Sequence, residues 1–195
     1  MIKISVVGDI GSGKTYISKL FRAPYFSADD EVTKLYRKNR KCFKKLKNKF
    51  PNFIKSFPIN KKELMELINR DFFNIKNIGA IVHPFVRKEF NKFLKINKKK
   101  QIVILDIPLY LENKMYKKND VIIFLKTKKK DVDKKLKKRK NFNPMLLNIL
   151  RKFQLTLKQK KIKSKYVLEN NYNSAIMKRK VKILKEKILN DRSST

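Results

Sequence analysis

Gly8-Asp9-Ile10-Gly11-Ser12-Gly13-Lys14-Thr15 fits G-x-x-x-x-G-K-[ST], a loop whose backbone N–H groups wrap a phosphate. The flanks give the match its meaning. Ile2-Lys3-Ile4-Ser5-Val6-Val7 before it is short, β-branched and apolar, which predicts a buried strand. Tyr16-Ile17-Ser18-Lys19-Leu20-Phe21 after it places Ile17, Leu20 and Phe21 on one helix face. Strand, glycine loop and helix is the order in which loop amides and a helix N-terminus converge on an anion. In that arrangement Lys14 reaches the β- and γ-phosphates of a nucleotide, and the Thr15 hydroxyl ligates Mg²⁺.

Downstream, Pro24-Tyr25-Phe26-Ser27-Ala28 reads as a second strand ending at Asp29-Asp30-Glu31. A carboxylate at the carboxyl end of a parallel strand stands where ligands bind in open α/β sheets, so Asp29 is a candidate to take a proton from a substrate hydroxyl. Asp29 also suits the N-cap of a helix beginning near Val32, and the two roles are compatible. From Val32 to about Lys99 helical patterns dominate, over Val32–Lys49, Lys61–Phe73 and Pro84–Ile96. A crossover between neighbouring parallel strands needs only about a dozen residues. The surplus predicts an inserted helical subdomain over 32–100 for a second substrate. Arg70 lies in it, as does the only histidine, His83, whose residue type serves packing and capping as well as ligand contact. Pro84 fits a first helical turn.

Ile102-Val103-Ile104-Leu105-Asp106-Ile107 is the clearest buried strand, and its Asp106 is placed to support Mg²⁺. Val121-Ile122-Ile123-Phe124-Leu125 is another, and Tyr166-Val167-Leu168 a last short one. Strands alternating with helices predict an α/β fold with a parallel sheet covered on both faces. Lys128–Lys140 and Met145–Lys161 read as a basic helix pair suited to a lid over phosphates, about 128–161. Arg139 in it is either part of a solvated charged face or a bidentate ligand of the transferring phosphoryl group. The final helix, from about Ser174 to Leu189, is expected to pack through Ile176, Val181, Ile183, Leu184 and Ile188.

The composition narrows the class. The chain has 195 residues and a formal net charge of +36, with Cys42 the only cysteine. A disulfide framework is impossible, no apolar run reaches the roughly 18 residues of a membrane span, and the first strand starts at once, so a cytoplasmic protein without a leader is expected. The lysines are scattered through nearly every segment, alongside abundant Asn and Ile, and they far outnumber the arginines. That pattern fits a compositional bias rather than a reading face for bases, so no specific nucleic-acid partner is expected, although polyanions should adhere at low salt.

The ordered motifs resemble the dephospho-coenzyme A kinase family along essentially the whole chain. The phosphate loop is similar to that family's Gly-Gly-Ile-Gly-Ser-Gly-Lys-Ser/Thr. Ser27-Ala28-Asp29 falls on its Asp-Ala-Asp, His83-Pro84 on its His-Pro, and Pro108-Leu109-Tyr110-Leu111-Glu112 on its Pro-Leu-Leu-x-Glu. Arg139, Gln154 and Asn170-Asn171 match its lid arginine, helix glutamine and late asparagine. The departures are Ser27 for the first Asp, Tyr110 for a leucine, Ser164-Lys165 for Ala-Asp and Tyr172 for a glycine.

The resemblance implies a P-loop kinase core with a five-stranded parallel sheet over 1–31 and 101–195, a helical coenzyme A-binding subdomain, and a lid. It implies transfer of the γ-phosphoryl of ATP, with Mg²⁺, to the ribose 3′-hydroxyl of dephospho-coenzyme A. Asp29 takes the place of the general base, with Lys14 and Arg139 beside it in catalysis. Gly11, Ser12, Gly13, Lys14, Thr15, Tyr16 and Asn171 fall to the nucleotide, Arg70, His83, Pro108 and Leu109 to the acceptor, and Thr15 and Asp106 to the metal. Small-molecule substrates, no membrane, and a monomer or weak homo-oligomer complete the expectation. The loop alone leaves open another small-molecule or nucleotide kinase on the same scaffold.

Overall fold

The computed structural model describes residues 1–138 and 142–193. The chain divides into two compact units, Met1–Phe26 with Lys99–Thr195, and Ser27–Lys98.

The first unit is built on five parallel strands, β1 (Ile2–Gly8), β2 (Tyr25–Ser27), β3 (Ile102–Asp106), β4 (Val121–Lys126) and β5 (Tyr166–Glu169), in the order β2-β3-β1-β4-β5. β1 lies at the centre, with Ile4 opposite Ile104 on one side and Val121 on the other. Six of its seven residues are buried, Ser5 among them, because both sheet faces are covered, as parallel sheets require. The core joins Ile4, Val6, Ile104 and Ile123 of the sheet to Ile17 and Phe21 and to Met177, Val181 and Ile188. Ile17 belongs to α1 (Lys14–Leu20), and the last three to α9 (Ser174–Ser193). Three further helices belong to this unit: α6 (Lys129–Lys137), α7 (Pro144–Lys152) and α8 (Leu157–Ile162).

The second unit is helical, with α2 (Ala28–Lys38), α3 (Arg40–Lys49), α4 (Lys61–Arg70) and α5 (Asn74–Ile96). It has its own core, in which Leu35, Cys42, Leu46, Ile54, Leu67, Ile78 and Val82 are buried together.

The helices depart from the sequence reading where local hydrogen bonds outweigh periodicity. The stretch 32–49 is two helices, because Asn39 turns to an extended conformation and its side chain accepts the Cys42 N–H at 2.8 Å, capping α3. The helix expected from Val32 starts at Ala28, with Ser27 as its cap accepting the Asp30 N–H at 3.1 Å. Asp29 is therefore in the first turn and is not the cap. α5 begins at Asn74, ten residues before the expected start, and carries Pro84 in its interior. Burial of Ile78 and Val82 on one face holds that helix together through a proline that cannot donate its bond. The second basic helix also divides, at 153–156, where Thr156 and Gln159 form a reciprocal capping box that starts α8. On α9 Met177 is buried together with the expected Val181 and Ile188, whereas Ile176 and Ile183 are 41% and 57% exposed.

That last difference is measurable. Met177→Ala is expected to lower unfolding free energy by about 2–5 kcal/mol, and Ile183→Ala by less than about 0.5, in urea titrations. Burial also pushes the Cys42 thiol up to about 11. The neutral thiol is the form the fold favours, so its contribution is intact below the ordinary thiol range and is lost as pH rises through about 11. At about pH 8 the native protein should leave Cys42 unlabelled by a maleimide, with complete labelling in denaturing urea.

Candidate active site

The phosphate loop connects the end of β1 at Gly8 to the start of α1 at Lys14. Gly13 has φ +92°, and a Cβ there would lie 3.0 Å from Asn170 Nδ2. Gly11, at φ +87°, would drive a Cβ to 2.8 Å from Leu136 of α6. Both positions demand glycine for conformation and for space.

Five loop carbonyls, those of Gly8, Asp9, Gly11, Ser12 and Gly13, receive protein donors. Lys160 Nζ donates to Gly8 O at 3.3 Å, and Lys14 Nζ to Asp9 O at 2.7 Å. The Tyr172 hydroxyl donates to Gly11 O at 3.1 Å, Asn170 Nδ2 to Ser12 O at 2.8 Å, and the Ile17 N–H to Gly13 O at 3.0 Å. Because a trans peptide points its N–H opposite its C=O, holding the carbonyls fixes the direction of the amides.

Lys160 is 4% exposed, an unusual place for an ammonium. Besides Gly8 O it donates to Gln154 Oε1 at 2.6 Å and faces Glu112 Oε1 at 3.2 Å, and the same Glu112 oxygen accepts the Leu155 N–H at 3.0 Å. The residues matched by resemblance as Glu112 and Gln154 thus meet on one buried cation under the loop. Asp9 Oδ1 accepts the Ile10 N–H at 2.7 Å, and Arg151 Nη2 meets Asp9 Oδ2 at 3.0 Å.

Asp106, at the carboxyl end of β3, accepts both the Thr15 hydroxyl at 2.7 Å and the Tyr25 hydroxyl at 2.6 Å on Oδ2. A hydroxyl and a carboxylate at hydrogen-bond distance form a hard oxygen donor pair, the chemistry that suits Mg²⁺. Among the described residues no cluster of three His, Cys, Asp or Glu side chains forms a metal cage.

Three of the four departures from the family motifs, Ser27, Tyr110 and Tyr172, have physical explanations. Ser27 caps α2. Tyr110 is buried, and its hydroxyl donates to Asp120 Oδ2 at 2.7 Å; burial and that bond push its phenol far above the usual range. Tyr172 adopts φ +59°, the left-handed conformation a glycine would take at no cost. Its N–H donates to Asn170 Oδ1 at 2.8 Å while its hydroxyl holds Gly11 O, and these bonds offset a strain of about 1–3 kcal/mol.

The remaining residues singled out in the sequence are placed as follows. Asn171 accepts the Asn173 N–H at 3.1 Å and closes a turn; its neighbour Asn170 is the one buried against the loop. The Tyr16 hydroxyl pairs with Ser174 Oγ at 2.6 Å. Leu109 has φ +56° in the turn that follows β3, and Pro108 beside it is exposed. In the helical unit, Asp29 is exposed on α2, and its backbone O accepts the Thr33 hydroxyl at 2.9 Å. Arg70 ends α4 with its guanidinium 5.7 Å from the Phe53 ring centroid. His83 lines an open groove of about 560 Å³ along α5 with Ala80, Pro84, Arg87, Lys88 and Asn91. Arg139 lies outside the described residues. Sequence reasoning missed Asp9, Tyr25 and Lys160 as supports of the loop and of Asp106.

Two substitutions separate these supports. Asn170→Ala removes a buried amide and orphans Ser12 O, which should cost about 1–3 kcal/mol in urea denaturation. Tyr172→Phe keeps the ring and deletes one bond to the loop, for about 0.5–1.5 kcal/mol.

Comparison with known proteins agrees with the geometry. Residues 2–175 match the family model described as dephospho-CoA kinase. The dephospho-CoA kinase of Wolbachia pipientis wMel is 27% identical over 184 residues, covering 92% of this chain and 94% of that protein. Among solved structures, a Thermus thermophilus protein superposes with a TM-score of 0.76 at 24% identity, covering 94% of this chain and 95% of its own. The dephospho-CoA kinase from Campylobacter jejuni gives 0.66 at 19%, covering 94% and 96%. The chain belongs to the dephospho-CoA kinase family.

Proposed function

We propose that this protein transfers the γ-phosphoryl group of ATP to the ribose 3′-hydroxyl of dephospho-coenzyme A, the last step of coenzyme A synthesis. The observation that carries the reading is the Thr15–Asp106 oxygen pair beside a phosphate loop whose carbonyls are held by protein donors, in a chain matched to the family over residues 2–175.

Phosphoryl transfer asks for positioning and charge stabilisation more than covalent chemistry. The loop amides and the N-terminus of α1 cradle the phosphates, and Lys14 supplies a point charge against them. Thr15 and Asp106 would hold Mg²⁺, which neutralises charge on the nucleotide when bound. Tyr25 fixes the Asp106 carboxylate through its 2.6 Å bond. Asp29 takes the general-base role, orienting the 3′-hydroxyl and accepting its proton. Arg139 supplies positive charge to the transferring group from the lid. Arg70, His83, Pro108 and Leu109 serve the acceptor, with the basic groove beside His83 suited to its phosphates. Tyr16 and Asn171 serve the nucleotide from the far end of the loop.

ATP consumption with a panel of acceptors tests the reading: dephospho-coenzyme A, nucleoside monophosphates, shikimate and single-stranded nucleic acid. Turnover restricted to dephospho-coenzyme A, with coenzyme A as product, is expected. Turnover with a monophosphate or shikimate and none with dephospho-coenzyme A would overturn the acceptor. In the same assay Asp29→Asn should lower kcat by about 10²–10⁴ with ATP binding retained. Lys14→Ala should impair both ATP binding and kcat.

A further inference from the structure

Asp9 puts a carboxylate inside a loop built to receive an anion, and the side chain is held from two directions. Its Oδ1 accepts the Ile10 N–H at 2.7 Å. Arg151, 142 residues away on α7, brings Nη2 to 3.0 Å from Oδ2 and Nε to 3.4 Å from Oδ1, a fork-shaped approach to both oxygens. The pair is largely shielded, with the arginine side chain 34% and the carboxylate 17% exposed. The Asp9 backbone is also engaged, because its carbonyl accepts Lys14 Nζ at 2.7 Å and the Ser12 N–H at 3.2 Å. Charge and backbone geometry of the loop therefore meet at one residue, and the cation that neutralises it comes from α7.

We infer that Arg151 is a positioning residue for nucleotide binding, acting through Asp9: it cancels the carboxylate and locks it away from the phosphates. The inference rests on the ATP-binding reading of the loop. Without Arg151, an uncompensated negative charge would stand in the anion site, where unit charges roughly 10 Å apart at an effective dielectric of about 20 exchange enough energy for about a tenfold change in affinity. With Asp9 neutralised, Arg151 should become dispensable. An arginine that touched the phosphates itself would behave otherwise.

A double-mutant cycle on ATP affinity, measured by calorimetry on the full chain without acceptor, separates the two. Thermal melts verify folding of each variant. Arg151→Gln should weaken ATP binding about tenfold in the unaltered protein, whereas in the Asp9→Asn background the same substitution should change it by no more than about threefold. An equal loss from Arg151→Gln in both backgrounds would assign the arginine to the phosphates directly and overturn the inference, as would no loss in either. If Arg151→Gln alone does not fold, the Asp9→Asn pair still decides: a tenfold loss between Asp9→Asn and the double variant overturns it. Failure of the unaltered protein to bind ATP would instead overturn the reading of the loop, and this inference with it.

Discussion

A loop that binds phosphate with backbone N–H groups must dispose of its carbonyls, because each peptide carries both and the carbonyl oxygens repel the ligand. In this protein the donors come from widely separated parts of the sequence. Lys14 and Ile17 serve Asp9 O and Gly13 O from α1, Lys160 serves Gly8 O from α8, and Asn170 and Tyr172 serve Ser12 O and Gly11 O from the turn after β5. The loop conformation is consequently a property of the tertiary structure. Glycine permits the shape, and these side chains select it from the many that glycine allows.

The sheet order makes that convergence possible. β1 lies between β3 and β4, with β5 beyond β4. The chain therefore leaves β1 at the point where its neighbours diverge, and in open parallel sheets the crevice at the carboxyl ends there receives the ligand. Asp106 ends β3 on one side; Glu169 ends β5 on the other, just before Asn170. The register that sets Gly8 opposite Leu125 keeps the loop level with these termini.

The strands, the loop and the helical character of 32–96 were legible because each carries a local pattern: apolar β-branched runs, glycine spacing, and a period of helix type. Helix ends were less so. The split at Asn39 and the cap at Ser27 are single side-chain hydrogen bonds, which compete with a hydrophobic pattern that continues across them. Pro84 invited a helix start, and burial of Ile78 on the preceding turns overrode it. Of the loop's supports, Asn170 was marked only as one of a pair, and Lys160 not at all. Lys160 lies in the run Lys158-Gln159-Lys160-Lys161, where nothing in the sequence distinguishes the buried ammonium from its solvated neighbours. A fold can bury one lysine of such a run only by supplying Glu112, Gln154 and Gly8 O from elsewhere, and pairing over such separations leaves no local signature.

Acidic residues carry more information in this chain than basic ones. Against 52 Lys and Arg there are 16 Asp and Glu, so a cation with no particular address is the default and a carboxylate is scarce. Several of the carboxylates stand at junctions. Asp9 joins the loop to α7, Asp106 joins α1 and β2 to β3, Glu112 anchors Lys160 and the Leu155 amide, and Asp120 ties Tyr110 and the Lys117 amide together. In a field so positive, each cation-to-carboxylate contact competes with many alternative cations, and geometry selects among them: a fork for Arg151, a buried position for Lys160, hydroxyls for Asp106. The net charge of +36 supplies a long-range attraction for anions that salt screens, whereas each fixed carboxylate acts only on the few groups it touches.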